Sequence, residues 1–322
     1  MEDVMPFLEN VTKGRHIPKE RLQLVAEQYY QFGGTSSINQ QNRSLIKRVK
    51  DFMMRQGLDL PIYFGNRNWT PYVEDTVREM IGDGVTKALV FATSAYSSYS
   101  SCRQYLEDIE RAQHANLGNG FIELHKIRGY FNHPKFLSSL EQLTLSTFSK
   151  VESPSVKDTA FITTAHSIPL EMAAASDYEE QIKFVSSHLE SVTVRHLGEP
   201  YKFFRAFQSR SGSPSQPWLE PDIGDKIEEL AKEGFSRLVV VPIGFISDHQ
   251  EIRYDLDTLA RQRALNAGIN LYRVPTVSHS GDFIEMVVDL VSERRDPTAE
   301  IKSIGVPLPN FCSSTCCRSP KE

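Results

Sequence analysis

Two stretches of the chain carry the same order of polar and apolar positions. Residues 79–96 read EMIGDGVTKALVFATSAY and residues 229–246 read ELAKEGFSRLVVVPIGFI. Each is a helix end, a glycine (Gly84, Gly234), a basic residue three places on (Lys87, Arg237), then an apolar run. Glycine suits a helix C-terminus because it reaches positive φ without a Cβ clash. The runs ALVFA and LVVVPI do not alternate, which predicts strands covered on both faces. The flanking segments correspond too. IYFGNRNWTPYVEDTVREM and FRAFQSRSGSPSQPWLEPDIGDKIEEL each read as a strand, a polar loop with Trp and Pro, and an amphipathic helix. CRQYLEDIERA and QEIRYDLDTLARQ, which follow, have helical periodicity.

This pattern predicts an α/β protein of two similar βαβ-type halves, each with a parallel sheet flanked by helices. The boundary is expected in KVESPSV, residues 150–156, after which FITTAHS opens the second half as its first strand. GINLYRVPTV reads as a late strand and GDFIEMVVDLVSERR as a final helix. The expected divisions are 1–152, 153–281, a helix over 282–296 packing back on the first domain, and a polar tail over 297–322. Ligands of open parallel sheets bind at the carboxyl ends of strands. FATSAYSSYSS, TTAHSIP, FQSRSGS and PIGFISDHQE all lie at such ends and are expected to line a cleft between the halves. There is no Gly-x-Gly-x-x-Gly and no phosphate-binding Walker loop, which removes the best support for a nucleotide site.

Composition narrows the function classes. The 322 residues suffice for two domains with their own cores. With 36 basic and 41 acidic residues the formal charge is −5, which argues against a nucleic-acid surface. No apolar stretch is long enough to span a bilayer, and MEDVMPFLENVTKGR lacks a signal-peptide pattern. A cytoplasmic location is the default expectation. Cys102 stands alone, whereas Cys312, Cys316 and Cys317 crowd into the tail, unlike a secreted disulfide framework.

Two clusters could carry chemistry. His166 ends the apolar run FITTAH. A lone strand-end histidine is more often bonded to backbone than functional, yet neutral imidazole serves as base or metal ligand near pH 7. The second cluster, SDHQEIRYDLD, sets Asp248, His249, Glu251, Asp255 and Asp257 directly after a strand. Ser247 or Asp248 is expected to cap the following helix. Glu251 and Asp255, four apart, share a helix face. They read either as a solvated surface beside Arg253 or as a carboxylate track for a divalent cation.

These segments resemble the ferrochelatase family. TAHSIP, FQSR…PWLEP, PIGFISDHQEIRYDLD and RVP…FIE match its signature segments in order and spacing, from about Met5 to about Arg295. VMPFLENVTKGR, YYQFGGTSSINQQNR and SAYSSYSSCRQYLEDI are most similar to the bacterial coproporphyrin type. The resemblance implies a chelatase-like fold of two Rossmann-like domains. It implies insertion of substrate Fe2+ into coproporphyrin III in heme biosynthesis, with His166 and Glu251 as the central catalytic and metal-binding pair. Asp255 would be a relay, and Leu259 stands where the family's acidic track continues. Lys13, Arg15, Ser36, Tyr96 and Tyr99 occupy plausible positions for holding propionates, as likewise does an ordinary solvated role for each. Gln28 replaces an arginine of some relatives, and Asn68 stands near a metal-binding histidine of others. Some family members hold a [2Fe–2S] cluster through one internal and three C-terminal cysteines, the pattern of Cys102, Cys312, Cys316 and Cys317; a zinc site or adventitious thiols are the alternatives.

Relatives open with a strand of the type LLLSFGGPEGP before the segment matching EDVMPFLENV, so the first sheet is expected to lack that strand here. Protoporphyrin IX as substrate, cobalt or nickel as metal, and a non-enzymatic tetrapyrrole binder or iron–sulfur sensor are the competing readings. The partners expected are porphyrin and Fe2+, with transient contact to neighbouring heme-pathway enzymes.

Overall fold

A computed structural model describes residues 3–13, 18–211, 215–313 and 315–319. The chain forms two compact units, Met1–Val90 with Leu106–His125, and Phe91–Tyr105 with Lys126–Glu322.

The first unit holds helices α1 (Val4–Val11), α2 (Lys19–Tyr30), α3 (Ile38–Arg55) and α4 (Val73–Gly82), strand β1 (Lys87–Val90), most of α5 (Gln104–Ala115) and most of strand β2 (Glu123–Lys126). β1 and β2 form a two-stranded sheet. Val77 and Met80 of α4 pack with Ala112 of α5 and with Ile122, and Ala88 and Leu124 of the strands lie against them. Two expectations fail here. Residues 62–64, IYF, do not join a ladder among the described residues. β1 is not covered on both faces: Lys87 is exposed and Ala88, Leu89 and Val90 are half-buried. A strand with one neighbour keeps an open edge.

The second unit begins with a π-helical turn, Tyr99–Arg103, and continues through α6 (Pro134–Phe148), β3 (Thr159–His166), α7 (Leu170–Ala174), α8 (Tyr178–Leu197), β4 (Lys202–Gln208), α9 (Ile223–Lys232) and β5 (Arg237–Val241). A π-helix (Ile252–Ala260), α10 (Arg261–Asn266), β6 (Asn270–Arg273) and α11 (Gly281–Arg295) complete it. Its sheet runs β4-β3-β5-β6, all parallel. Ala160 and Ile162 of β3 share one face with Leu238 and Val240 of β5, under Ile227 and Leu230 of α9 and Ile252 and Leu256 of the π-helix. Phe161, on the opposite face, stacks on Phe148 of α6 at 5.4 Å and on Phe203 at 4.5 Å. β3 is therefore buried on both faces along its whole length until His166, which is half-exposed.

The contact boundary differs from the expected one at 152/153, because α6 lies in the second unit. α11 packs on α6, where Asp282 accepts a 2.6 Å hydrogen bond from Ser138 and Asp289 pairs with Lys135 at 2.8 Å. No described helix is long and apolar enough to cross a membrane.

Candidate functional site

His166 is placed by close packing of the strands beneath it. Gly244, in the loop after β5, lies so near β3 that a Cβ there would meet the Cα of Ala165 at 2.7 Å. A side chain at 244 would push aside the residue preceding His166. Tyr178 of α8 donates to the His166 carbonyl at 3.0 Å, fixing the strand end from the other side.

The imidazole orientation follows from its partner. Nδ1 of His166 is bonded to the carbonyl oxygen of Ser167. A carbonyl only accepts, so Nδ1 carries the proton and Nε2 of the neutral ring carries the lone pair. Nε2 faces the Glu251 carboxylate, 3.9 Å from Oε2. Neither group is sealed from solvent, with side-chain exposures of 32% and 49%. At that separation both can reach one small cation or proton-bearing group between them.

Glu251 sits at a helix start built differently from the expectation. Ser247 does not supply the cap, since its buried hydroxyl has no hydrogen-bond partner among the described residues. The backbone N–H of Glu251 donates instead to Nδ1 of His249 at 3.2 Å. Burial holds the His249 pKa below its ordinary value, which keeps that nitrogen an acceptor. Asp248 is drawn away to Arg273, at 2.6 Å.

The helix then widens. Residues 252–260 are π-helical, with i→i+5 hydrogen bonds, a form that recurs at functional sites. Ile252, Leu256 and Ala260 are buried at a spacing of four. Glu251, Asp255 and Leu259 share the neighbouring line. Asp255 accepts a hydrogen bond from the hydroxyl of Ser209, whose backbone holds a left-handed φ of +64°. Burial pushes the Asp255 carboxyl up to about 6, against the lowering effect of Ser209. Leu259 leaves 45% of its surface exposed where a third carboxylate would extend the line.

His166, Glu251 and Asp255 are thus brought together. The described residues considered for propionates each have a local setting of their own. Lys13 is exposed beyond α1, and Ser36 accepts from the N–H of Ile38 at 3.3 Å just before α3. Arg15 lies outside the described residues. Tyr96 is 3% exposed, and its hydroxyl donates to the Ile243 carbonyl at 2.9 Å. Tyr99 is half-buried in the π-helical turn. The carbonyl of Asn68 accepts from Asn10 at 2.7 Å.

The tail returns to the body of the second unit. Asn132 donates to the carbonyls of Ile304 and Val306 at 3.2 and 2.8 Å, and Arg128 to that of Lys302 at 3.0 Å. This path brings Cys312 near enough to the buried thiol of Cys102 for each to shift the other's titration. Lys126 Nζ stands 3.5 Å from Cys102 Sγ, and the sulfurs of Cys316 and Cys317 are 3.7 Å apart. Burial raises the Cys317 thiol to about 12, whereas the neighbouring Cys102 lowers Cys312. All four are free thiols. Among the described residues no three His, Cys, Asp or Glu side chains are grouped to hold a metal ion.

Reading the sequence missed Ser209, His249 as a cap, and Arg273. Arg273 had a visible signal: Asp248 and Asp257 flank the segment and call for a cation, and RVP supplies one at a strand end.

The family model for ferrochelatase matches residues 1–295. A protein of Frankia alni named coproporphyrin III ferrochelatase is 42% identical, covering 100% of this chain and 84% of its own. One of the same name from Mycolicibacterium smegmatis is 44% identical over 91% of this chain and 85% of its own. One from Rhodopirellula baltica named ferrochelatase is 43% identical over 98% and 89%. Among solved structures, SirB from Bacillus subtilis with Fe3+ aligns at a TM-score of 0.52 and 11% identity, covering 80% of this chain and 90% of that one. That likeness supports the chelatase-like fold alone.

Proposed function

The chain belongs to the ferrochelatase family, and on that premise we propose that it is a lyase of the cytoplasm that inserts Fe2+ into coproporphyrin III to give coproheme. The observation that carries this reading is the His166–Glu251 pair, 3.9 Å apart at the end of β3, with the imidazole lone pair on Nε2. The names of the relatives from Frankia and Mycolicibacterium support the choice of porphyrin.

Metallation must strip two pyrrole protons and bring a cation to the macrocycle. His166 Nε2 accepts a proton, because imidazole is basic near neutrality and this tautomer aims its lone pair outward. Glu251 takes the imidazolium's charge or steadies the incoming cation with a hard oxygen. Asp255, near its own pKa at neutral pH, exchanges protons or metal with Glu251 along one helix line. A binder would need neither a base nor a track, so this pair favours an enzyme over a carrier or sensor.

Cys102, Cys312, Cys316 and Cys317 are the residues that would hold a [2Fe–2S] cluster. A single ion wants three donors on one centre, but a two-iron cluster takes its four thiolates in two pairs. The nearness of Cys312 to Cys102 and the 3.7 Å contact of Cys316 with Cys317 are compatible with such pairing. Such a cluster supplies one-electron chemistry, which metal insertion does not use, so its role here would be to fasten the tail.

The test is anaerobic. Purified protein is mixed with Fe2+ and, separately, coproporphyrin III and protoporphyrin IX, and metallation is followed by absorbance. Coproporphyrin should be metallated faster, and His166→Ala should lose roughly 10²-fold or more in rate while still quenching porphyrin fluorescence. Faster turnover of protoporphyrin overturns the substrate; no turnover of either overturns the enzyme. Iron and acid-labile sulfide in the same preparation decide the cluster.

A further inference from the structure

We propose that Arg273 is a positioning residue for metal delivery: it sorts the four carboxylates between residues 248 and 257, holding two as structure and leaving two for the cation. The proposal rests on the function read above.

Asp248, Glu251, Asp255 and Asp257 fall within ten residues of chain. Unpartnered, they would repel one another and offer a divalent ion several competing sites. Arg273, the last residue of β6, is largely buried, with 15% of its side chain exposed. Nη1 donates to Asp248 Oδ1 at 2.6 Å. Nε and Nη2 donate as a fork to the two oxygens of Asp257, at 2.7 and 3.0 Å. A guanidinium has donors enough for both partners in one plane, which an ammonium lacks.

The two carboxylates bound to Arg273 bracket the two that are not. Asp248 lies three residues before Glu251, and Asp257 two residues after Asp255. The clamp therefore fixes both ends of the stretch that carries the cation-handling pair. Glu251 needs this help, because its carboxylate is exposed and stands 3.9 Å from the His166 imidazole. Its position follows its backbone, and that backbone is tied to the sheet through Asp248 and Arg273. The π-helical stretch is tied in the same way through Asp257.

Arg273→Gln should raise the KM for Fe2+ about tenfold, in the range seen when groups supporting metal ligands are removed, while the porphyrin Kd stays unchanged. Arg273→Lys, a point charge unable to make the fork, should fall between. A general loss of structure would move both constants together. An unchanged metal KM, or a porphyrin Kd shifted by the same factor, overturns the proposal. Should Arg273→Gln fail to fold, Asp257→Asn keeps the contact to Asp248 and removes the fork. It should raise the metal KM in the same direction by a smaller factor, and no change overturns the proposal. Co2+ binding to the porphyrin-free protein, read by its visible absorption, separates this from the function reading. If the wild type metallates no porphyrin, the function reading fails. A Co2+ affinity about tenfold weaker in Arg273→Gln still supports the clamp, and an unchanged one removes it.

Discussion

The segment running from Pro71 through β1 and the segment running from Pro221 through β5 are two printings of one local pattern. Pro71 and Pro221, Val73 and Ile223, Gly84 and Gly234, Lys87 and Arg237 are each 150 positions apart. α4 and α9 both run ten residues. Gly84 and Gly234 both take left-handed φ, +78° and +96°, and both helices end with the same pair of backbone hydrogen bonds. The strands that follow differ. β5 lies between β3 and β6 and is buried from Leu238 to Val241; β1 has β2 alone and is buried nowhere. The chemistry differs as well. At the same spacing, Ser98 and Ser101 stand where the second copy has Asp248 and Glu251. The serine hydroxyls satisfy each other at 2.7 Å. Of the two acids, one is held by Arg273 and the other is left to face His166. Local sequence sets the element, neighbours set its burial, and a pair of side chains sets which groups the strand end presents.

The largest effect should come from making the second copy resemble the first. Glu251→Ser gives the second copy the residue of the first. It should cut metallation by roughly 10²-fold or more with the circular dichroism spectrum unchanged; a smaller loss would mean the carboxylate is not what separates the copies. Next is the packing difference. Val240 is fully buried and Val90 is not. Val240→Ala should cost about 2 kcal/mol, and Val90→Ala less than about 1, by denaturant unfolding. Equal costs would show that the first sheet is covered in solution. The smallest effect tests what the copies share. A Cβ at Gly84 or Gly234 would meet no atom within 4 Å, so only the backbone conformation opposes alanine. Gly84→Ala and Gly234→Ala should each cost about 1 kcal/mol, within error of one another.

Much of the second copy could be read directly from the sequence. FITTAH is buried on both faces and ends at its histidine as its unbroken apolar run implied. The Gly caps, β5 and α11 follow from local residue preference. What could not be read depends on distant partners or on small differences in period. IYF has strand-forming residues, yet a strand needs a neighbour to pair with. β2, ELHK, is too short and polar to announce itself. Over nine residues a π-helix differs little from an α-helix in apolar spacing; the strict fours of Ile252, Leu256 and Ala260 were the available signal. Ser209 meets Asp255 across 46 positions, and Arg273 meets Asp257 across 16. The first pair is legible only after the sheet order is known; the second left a signal, since two aspartates call for a cation and RVP supplies one.

The bond from His166 Nδ1 to the Ser167 carbonyl has an arithmetical consequence. A ring committed in this way owns one lone pair, and one lone pair serves one guest. While Nε2 holds a proton it cannot ligate iron, and while it ligates iron it cannot act as a base. On the proposed reading two protons leave each porphyrin through this nitrogen, so it has to be emptied between them, with Glu251 3.9 Å away. On that reading the strand end is a turnstile: whatever passes His166 passes singly, because a backbone carbonyl that takes no part in the chemistry occupies the other ring nitrogen.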